Sequence, residues 1–278
     1  LETTNDNDQY ATVANSISGN EDVITIAIVS ADALYSIKDV TVAGQVIDPQ
    51  TTAATNKTSW SVSYTLTGVE PDGYAGCSYK AVDLAGNITT VPSSNEILID
   101  NTAPILNTIE IFSNNDDITQ AKIGNAVTIK VVANEPLLGA PVITIQGQTA
   151  SVSKVGTTYS GAYTMLDTDT KGAVAFTVAF VNAHGVAGVS IDDDGSGSTT
   201  TNASAVTYDR HPPTLSVVTI STDNDNNAYT KVGDIITLAF DAVDEDGDPE
   251  NLRATPTVTI LTEATTVSGS GDSWTATY

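Results

Sequence analysis

The side chains with chemistry to offer in this chain are overwhelmingly carboxylates, with 34 Asp and Glu against 10 Lys and Arg. They gather in short runs with Asn and Gly: "SNNDD" from Ser113, "DDDGSGS" from Asp192, "STDNDNNAYTKVGD" from Ser221 and "DEDGDPE" from Asp244. Such runs suit two kinds of work, paired acid–base catalysis and the binding of a hard cation through oxygen. Catalysis finds little support, because with this many acids carboxylate pairs arise without design. The two histidines, His184 and His211, stand in neither a zinc nor a triad spacing. Phosphate-cradling glycine loops and nucleophile elbows are absent. The chain reads as non-enzymatic, and oxygen-rich cation binding is the chemistry left to weigh.

Three patterns test that reading. "DNDNNAYTKVGD" sets Asp223, Asp225 and Asn227 at alternate positions, as in a helix–loop–helix calcium site, but Ala228 stands where such a loop needs glycine and no helical pattern flanks it. "DEDGD" is the better cage, since Gly247 permits a turn tight enough to converge Asp244, Asp246 and Asp248; the other reading is a hydrophilic turn. "DDDGSGS" is a similar oxygen-rich turn set in a Gly/Ser-rich run, where a flexible excursion is the first reading and a metal site the other.

Composition narrows the class of protein. A formal charge of −24 and a pI near 4.1 would repel a phosphate backbone, so nucleic acid is excluded as a partner. An apolar fraction of 40 % supports packed cores. Thr, Val, Ser, Ile and Tyr fit pleated, half-buried strands. Cys77 is the one cysteine, so no intrachain disulfide can form. No apolar run reaches the roughly 18 residues of a membrane-spanning helix. An acidic, lysine-poor, Thr- and Asn-rich chain points to an exported protein, outside the cell or on its surface.

Markers recur at domain-sized spacing. "SNNDD" at Ser113 and "STDND" at Ser221 give 221 − 113 = 108, while "DNTAP" at Asp100 and "DRHPP" at Asp209 give 209 − 100 = 109. "WSVSY" from Trp60, "YSGAY" from Tyr159 and "WTATY" from Trp274 form a third series. Such a period means tandem globular domains. The middle copy predicts seven strands: A Ile105–Ile111, B Ala126–Ala133, C Pro141–Gln146, D Thr149–Lys154, E Thr158–Thr164, F Ala173–Val181 and G Ala203–Asp209. Clean alternation in "VTIKVV" and "ITIQG", with no helical stripe, makes the class all-β. Domains are expected at 1–101, 102–209 and 210–278, the first without its opening strand and the third without its last two. A fragment of a longer polypeptide is the expectation, with strand complementation by another molecule as the other route.

The order of "D-x-T-A-P", an A strand, an acidic Asn/Asp loop and "K-[IV]-G-[ND]-x-[IV]-T" resembles the tandem bacterial immunoglobulin-like repeats of large surface proteins. Residues 100–133 and 209–240 carry the resemblance best, and "AVDLAGN" (81–87) is similar to the F–G turn of those repeats. "NAHGVAG" and the "IDDDGSGSTTTN" insertion depart from the pattern. The resemblance implies immunoglobulin-like β-sandwiches in a rod-like array, acting as spacer, adhesion or lattice modules in adhesins, surface layers or filaments. The expected partners are neighbouring copies of the same protein or ligands on a host or other surface.

Sandwich topology places A–B and E–F loops at one end of a domain and B–C and F–G loops at the other. The joint between the second and third domains would therefore collect Asp116, Asp117, Asp167 and Asp169 from above, Asp209 in the linker, and Asp244, Asp246 and Asp248 from below. Asp223 and Asp225 are the corresponding A–B acids of the third domain. Two carboxylates ~6 Å apart repel by about 0.7 kcal/mol in water and about 3 kcal/mol at an effective dielectric of ~20. Convergence on this scale calls for a counter-ion, and Ca2+, with six to eight oxygen ligands, is the expected one. A solvated acidic surface is the plainer reading. A carbohydrate-binding module is the alternative function, with Trp60, Tyr64, Tyr74, Tyr79, Tyr159, Tyr163, Trp274 and Tyr278 as candidate platforms, although recurrence on one strand suits a core position as well.

Overall fold

The computed structural model of the chain describes residues 2–3, 10–11, 22–47, 57–93 and 96–278. A further Asn- and Asp-rich stretch of the sequence, "TNDNDQYATVANSISGNED" (4–22), falls outside them but for Tyr10, Ala11 and Asp22. Among the described residues every regular element is a strand, so the chain is all-β. It divides into two compact units, Leu1–Tyr208 and Asp209–Tyr278.

The main strands of the first unit are β1 (Val23–Val42), β2 (Lys57–Thr65), β3 (Cys77–Asp83), β4 (Ile88–Pro92), β5 (Leu106–Ser113), β6 (Ala126–Ala133), β7 (Val142–Ile145), β8 (Ser151–Val155), β9 (Thr158–Thr164), β10 (Phe176–Ala179), β11 (Ile191–Asp193) and β12 (Thr207–Tyr208). Those of the second are β13 (Thr214–Thr222), β14 (Ile236–Val243), β15 (Thr266–Ser270) and β16 (Ser273–Thr277). The first unit holds two separate apolar cores. One gathers residues between Ile24 and Ile99, including Val40, Trp60, Leu66 and Cys77; the other gathers residues between Ile109 and Tyr208.

Around the second core, one sheet has the order β5-β6-β9-β8 and another places β7 beside β10 and β10 beside β11. The two face each other closely at one point. A side chain at Gly161 on β9 would meet Ile143 on β7 at 2.8 Å, so only glycine lets the layers approach there. Strand β6 alternates without exception, Val127, Ile129, Val131 and Ala133 inward, as its sequence requires. The second unit repeats the first of these sheets as β13-β14-β16-β15. Even its irregularity recurs, a register shift between Leu106 and Thr108 and again between Leu215 and Val217.

The 24–99 core is built differently. Strand β1 runs 20 residues and carries one long ladder into another, pairing with β2 from Val23 to Val29 and with β3 from Leu34 to Val42. The middle segment breaks the same stretch into β6 and β7 because Pro136 and Pro141 cannot donate to a ladder. "SADALYS", which carries β1 through, has no proline.

One hairpin turn occurs in all three places. Ala43–Gly44, Gln146–Gly147 and Leu261–Thr262 all have positive φ, of 49° and 78°, 50° and 74°, and 53° and 72°. This pair of left-handed residues matches the twist of the strands it joins. Thr262 takes that conformation despite its β-branch, which costs energy that glycine would not.

Candidate functional site

The acidic loops turn out to be organised by backbone N–H groups. In the loop from β5 to β6, Asn115 Oδ1 accepts from Asp117 N at 3.3 Å and Asp117 Oδ1 from Thr119 N at 3.0 Å. Asn125 Oδ1 accepts from Lys122 N at 2.9 Å, and Asn114 Oδ1 from Ala126 N at 2.9 Å. The loop from β13 to β14 makes the same four bonds: Asn226 N to Asn224 at 3.1 Å, Ala228 N to Asn226 at 3.1 Å, Lys231 N to Asp234 at 2.8 Å and Ile235 N to Asp223 at 2.7 Å. Every partner is displaced by 109 residues, since 223 − 114 = 226 − 117 = 234 − 125 = 109. The sequence alignment that put Ser113 against Ser221 is therefore one residue short; Ser113 corresponds to Thr222.

That correspondence answers why so much Asp and Asn collects there. Three of the four acceptor positions carry an acid in one loop and an amide in the other: Asn114 with Asp223, Asp117 with Asn226, Asn125 with Asp234. What both residues share is a side-chain oxygen short enough to close a turn on the main chain. Asp234 also holds Lys231 Nζ at 2.8 Å and Asn224 Nδ2 at 2.6 Å, and the Asn224 bond, followed by Lys231, keeps its carboxyl down at about 2.

A second device recurs three times. Asp83 Oδ1 accepts from Ala85 N at 2.9 Å and Asn87 N at 2.8 Å. Asn182 Oδ1 accepts from His184 N at 3.0 Å and Val186 N at 2.9 Å, and Asp244 Oδ1 accepts from Asp246 N and Asp248 N, both at 2.9 Å. Each turn contains a left-handed glycine at its fourth position, Gly86, Gly185 or Gly247. Thus "DEDGD" is such a turn: Asp244 points inward to its own backbone while Asp246 and Asp248 are exposed. "NAHGV", set apart in sequence from "DLAGN", has the same fold.

Of the other expected ligands, Asp169 is buried, accepting from Tyr163 Oη at 3.1 Å and Leu166 N at 2.7 Å. Its counterpart, missed in the sequence, is Glu70, also buried, which takes bonds from Tyr64 Oη, Thr67 N and Gly68 N. Burial works to raise the Glu70 carboxyl, but these donors together hold it below its ordinary range. The shared signal is a tyrosine of the recurrent aromatic strand with an acid six residues later. Asp116, Asp167 and Asp225 are exposed, and Asp209 Oδ1 accepts from His211 N at 3.3 Å. Within the second unit Glu245 meets the Arg210 guanidinium at 3.1 Å and His211 Nδ1 at 2.8 Å, so Arg210 neutralises part of the acid-rich loop.

"DDDGSGS" is not a loose excursion. Asp193 is 1 % exposed and collects Gly195 N at 2.8 Å, Gly197 N at 3.2 Å, and Thr199 through N at 2.9 Å and Oγ1 at 2.7 Å. Desolvation pushes its carboxyl up, yet the Thr199 and glycine donors outweigh it and leave it lowered. A side chain at Gly195 would strike Ala173 at 2.7 Å, so the glycine is what lets the loop seat.

Acidic side chains from three distant stretches meet elsewhere, at the junction of the two cores of the first unit. Asn182 is completely buried, and its Nδ2 faces Asp100 Oδ2 at 3.0 Å, the Thr102 carbonyl at 3.3 Å and Glu135 Oε2 at 3.4 Å. His184 Nε2 lies 3.7 Å from Asp100 Oδ2. On the other side of the linker, Asp72 binds Asn101 N at 2.7 Å and the Thr102 hydroxyl. Burial, then the Asp100 charge, raises the Glu135 carboxyl. The amide thus holds two carboxylates and a carbonyl that would otherwise repel. Asp100 was legible only as a linker residue; Glu135 and Asn182 gave no signal.

Asp116, Asp117, Asp167 and Asp169 fall in the first unit and Asp209, Asp223, Asp225, Asp244, Asp246 and Asp248 in the second. Among the described residues no three His, Cys, Asp or Glu side chains form a group that could hold a metal ion. No helix of the described residues is long and apolar enough to cross a membrane. Trp60, Tyr159 and Trp274 are core residues, 8 %, 0 % and 7 % exposed; among the candidate platforms Tyr74, at 75 %, is the most exposed. No family model matches the chain, and no curated protein matches it.

Proposed function

We propose that the chain is a non-enzymatic structural segment of a secreted or cell-surface protein, built of immunoglobulin-like sandwich modules in a row and serving as a spacer, adhesion or lattice element. The observation that carries the reading is the 109-residue recurrence of one loop, bond for bond, between strands of identical sheet order. A polypeptide that reuses a module this faithfully gains length and stiffness; its buried acids are committed to turns rather than aimed into a cleft. Neighbouring copies or surface ligands are the partners of such a segment.

Calcium belongs to the same proposal as a stiffening ion. The donors that suit it are the carboxylates of Asp100 and Glu135 with the Thr102 carbonyl, all hard oxygens. The Asn182 amide already stands among them, so an ion would have to displace it, and millimolar rather than micromolar affinity follows.

Pulling the chain end to end tests the module reading. Separate unfolding events are expected, the one for residues 102–209 releasing about 35 nm at ~3.6 Å per residue less its folded span. Chelator should lower the force of events that calcium supports. One all-or-none rupture of the whole chain would overturn the reading.

A further inference from the structure

The loop that follows β11 does more than close on itself. From the turn acceptor to the linker aspartate the middle segment is the longer, 209 − 182 = 27 steps from Asn182 to Asp209 against 100 − 83 = 17 from Asp83 to Asp100. Both stretches contain the same turn and reach the same linker, so the extra residues are not needed to complete the module. They lie along β5, an edge strand of the sheet β5-β6-β9-β8. Alternate residues of β5 turn their backbone groups away from β6. Ile109 N donates to Thr201 Oγ1 at 3.2 Å, and the Ile109 carbonyl accepts from Thr201 N at 2.8 Å. Ile111 N donates to Ser204 Oγ at 2.9 Å, and Ser113 N to the Ile118 carbonyl at 2.9 Å. Thr201 thus gives Ile109 the two bonds that a paired residue of a neighbouring strand would give. One of its acceptors is a hydroxyl instead of a carbonyl, so the ladder stops there.

Such an edge needs closing, because a row of free N–H and C=O groups is a template for another strand. Over most of the surface like charge keeps copies of a −24 chain apart. On β5, however, Glu110 is the one charged residue, and Lys130 Nζ meets it at 3.1 Å. The opposite edge, β8, carries Lys154, whose ammonium lies 5.2 Å from the centre of the Tyr159 ring, a charge on the core side of the kind that discourages pairing. The loop is built firmly enough to serve as a cover. Asp193 anchors its start, and Thr200 Oγ1 lies 2.8 Å from the Gly197 carbonyl and 3.0 Å from that of Ser204. We propose that residues 194–206 are an edge guard, which occupies the outer groups of β5 and keeps a second copy of the chain from adding its own β5 there. Two such edges would be self-complementary in antiparallel, two-fold pairing. While the guard is seated, neighbouring copies do not share this edge, whichever role the modules serve.

The test is Thr201→Val with Ser204→Ala in the full chain, which removes both hydroxyl acceptors at positions outside the core. In dilute solution the Ile109 and Ile111 amides should exchange at least about tenfold faster than in the parent, with those of β6 unchanged. In about 1 M salt, where a Debye length of ~3 Å removes the repulsion between chains, sedimentation should show the variant associating more strongly than the parent. Protection of the two amides should then return as concentration rises. Thr201→Ser with Ser204→Thr keeps both oxygens and should behave as the parent. Gly197→Ala pries the guard from within, since its side chain would meet the Ser204 carbonyl oxygen at 2.6 Å, and should reproduce the double variant with both hydroxyls in place. Unchanged exchange at Ile109 and Ile111 in the double variant overturns the proposal. So does a variant whose two amides open but which associates no more than the parent. Loss of protection in β6 and β9 together with β5 overturns it as well, because the loop would then be a structural staple. The pulling experiment on residues 102–209 reads the module proposal separately.

Discussion

Replacing Asn182 by Asp keeps the side chain's shape and its Oδ1 bonds to His184 N and Val186 N, but swaps the amide donor for a carboxylate oxygen. That oxygen would face Asp100 Oδ2 at 3.0 Å and Glu135 Oε2 at 3.4 Å, where the NH2 now stands. Losing the charge-assisted bond to Asp100 costs about 1.5–3 kcal/mol. Three carboxylates at this spacing cannot all ionise, and even after relaxing to ~5 Å each new pair repels by about 3 kcal/mol at an effective dielectric of ~20. Proton uptake limits the damage, since protonating an ordinary carboxyl at pH 7 costs about 3.7 kcal/mol. The total is about 5–7 kcal/mol, a fall of roughly 10 °C or more in the first unit's Tm at ~2–4 °C per kcal/mol. Calorimetry in chelator at pH 7 measures it. Because the folded variant binds an extra proton, its deficit should shrink as pH falls toward the ordinary carboxyl range. Millimolar calcium should shrink it too, since the introduced carboxylate completes an oxygen cage. A loss under about 1 kcal/mol, or a deficit that deepens on acidification, would refute the account of the clasp.

Glu135→Gln should stabilise the first unit at pH 7. Its carboxyl is raised in the fold, so the ionised form is a penalty present above the folded pKa and relieved as pH falls to the unfolded value; the Tm difference between variant and parent should close over that window. Asp193→Asn leaves an NH2 against Thr199 N and should cost about 3 kcal/mol at neutral pH. Asp193 is lowered in the fold, so the parent's advantage exists above the unfolded carboxyl pKa and disappears as pH drops through the folded one, which acid-unfolding curves of the pair would show. Asp223→Asn should change the second unit's stability by less than about 0.5 kcal/mol, because Asn114 does the same work in the other loop; a large loss in denaturant titration would return charge to the explanation. Thr262→Gly should raise the second unit's stability by about 1 kcal/mol by relieving a left-handed β-branched residue.

Much of this protein can be read along the chain. Period-two alternation over Ala126–Ala133 and the recurring Trp60, Tyr159 and Trp274 specify strands and which face is buried, because a strand's sides are set by residue parity alone. The weight of acid was legible too, but its purpose was not. Asp and Asn look opposite in charge yet are equivalent as acceptors of a backbone N–H, and only the placed main chain shows which property is used at Asp117, Asp223 or Asp244. The Asp100–Glu135–Asn182 clasp brings together residues separated by up to 82 positions, a juxtaposition no local spacing encodes. The one-residue correction to the repeat has the same origin: similar letters can be slid along each other, whereas a hydrogen-bonded loop closes in a single register. Local chemistry determined the elements, and the packing of distant backbones decided what each polar side chain is for.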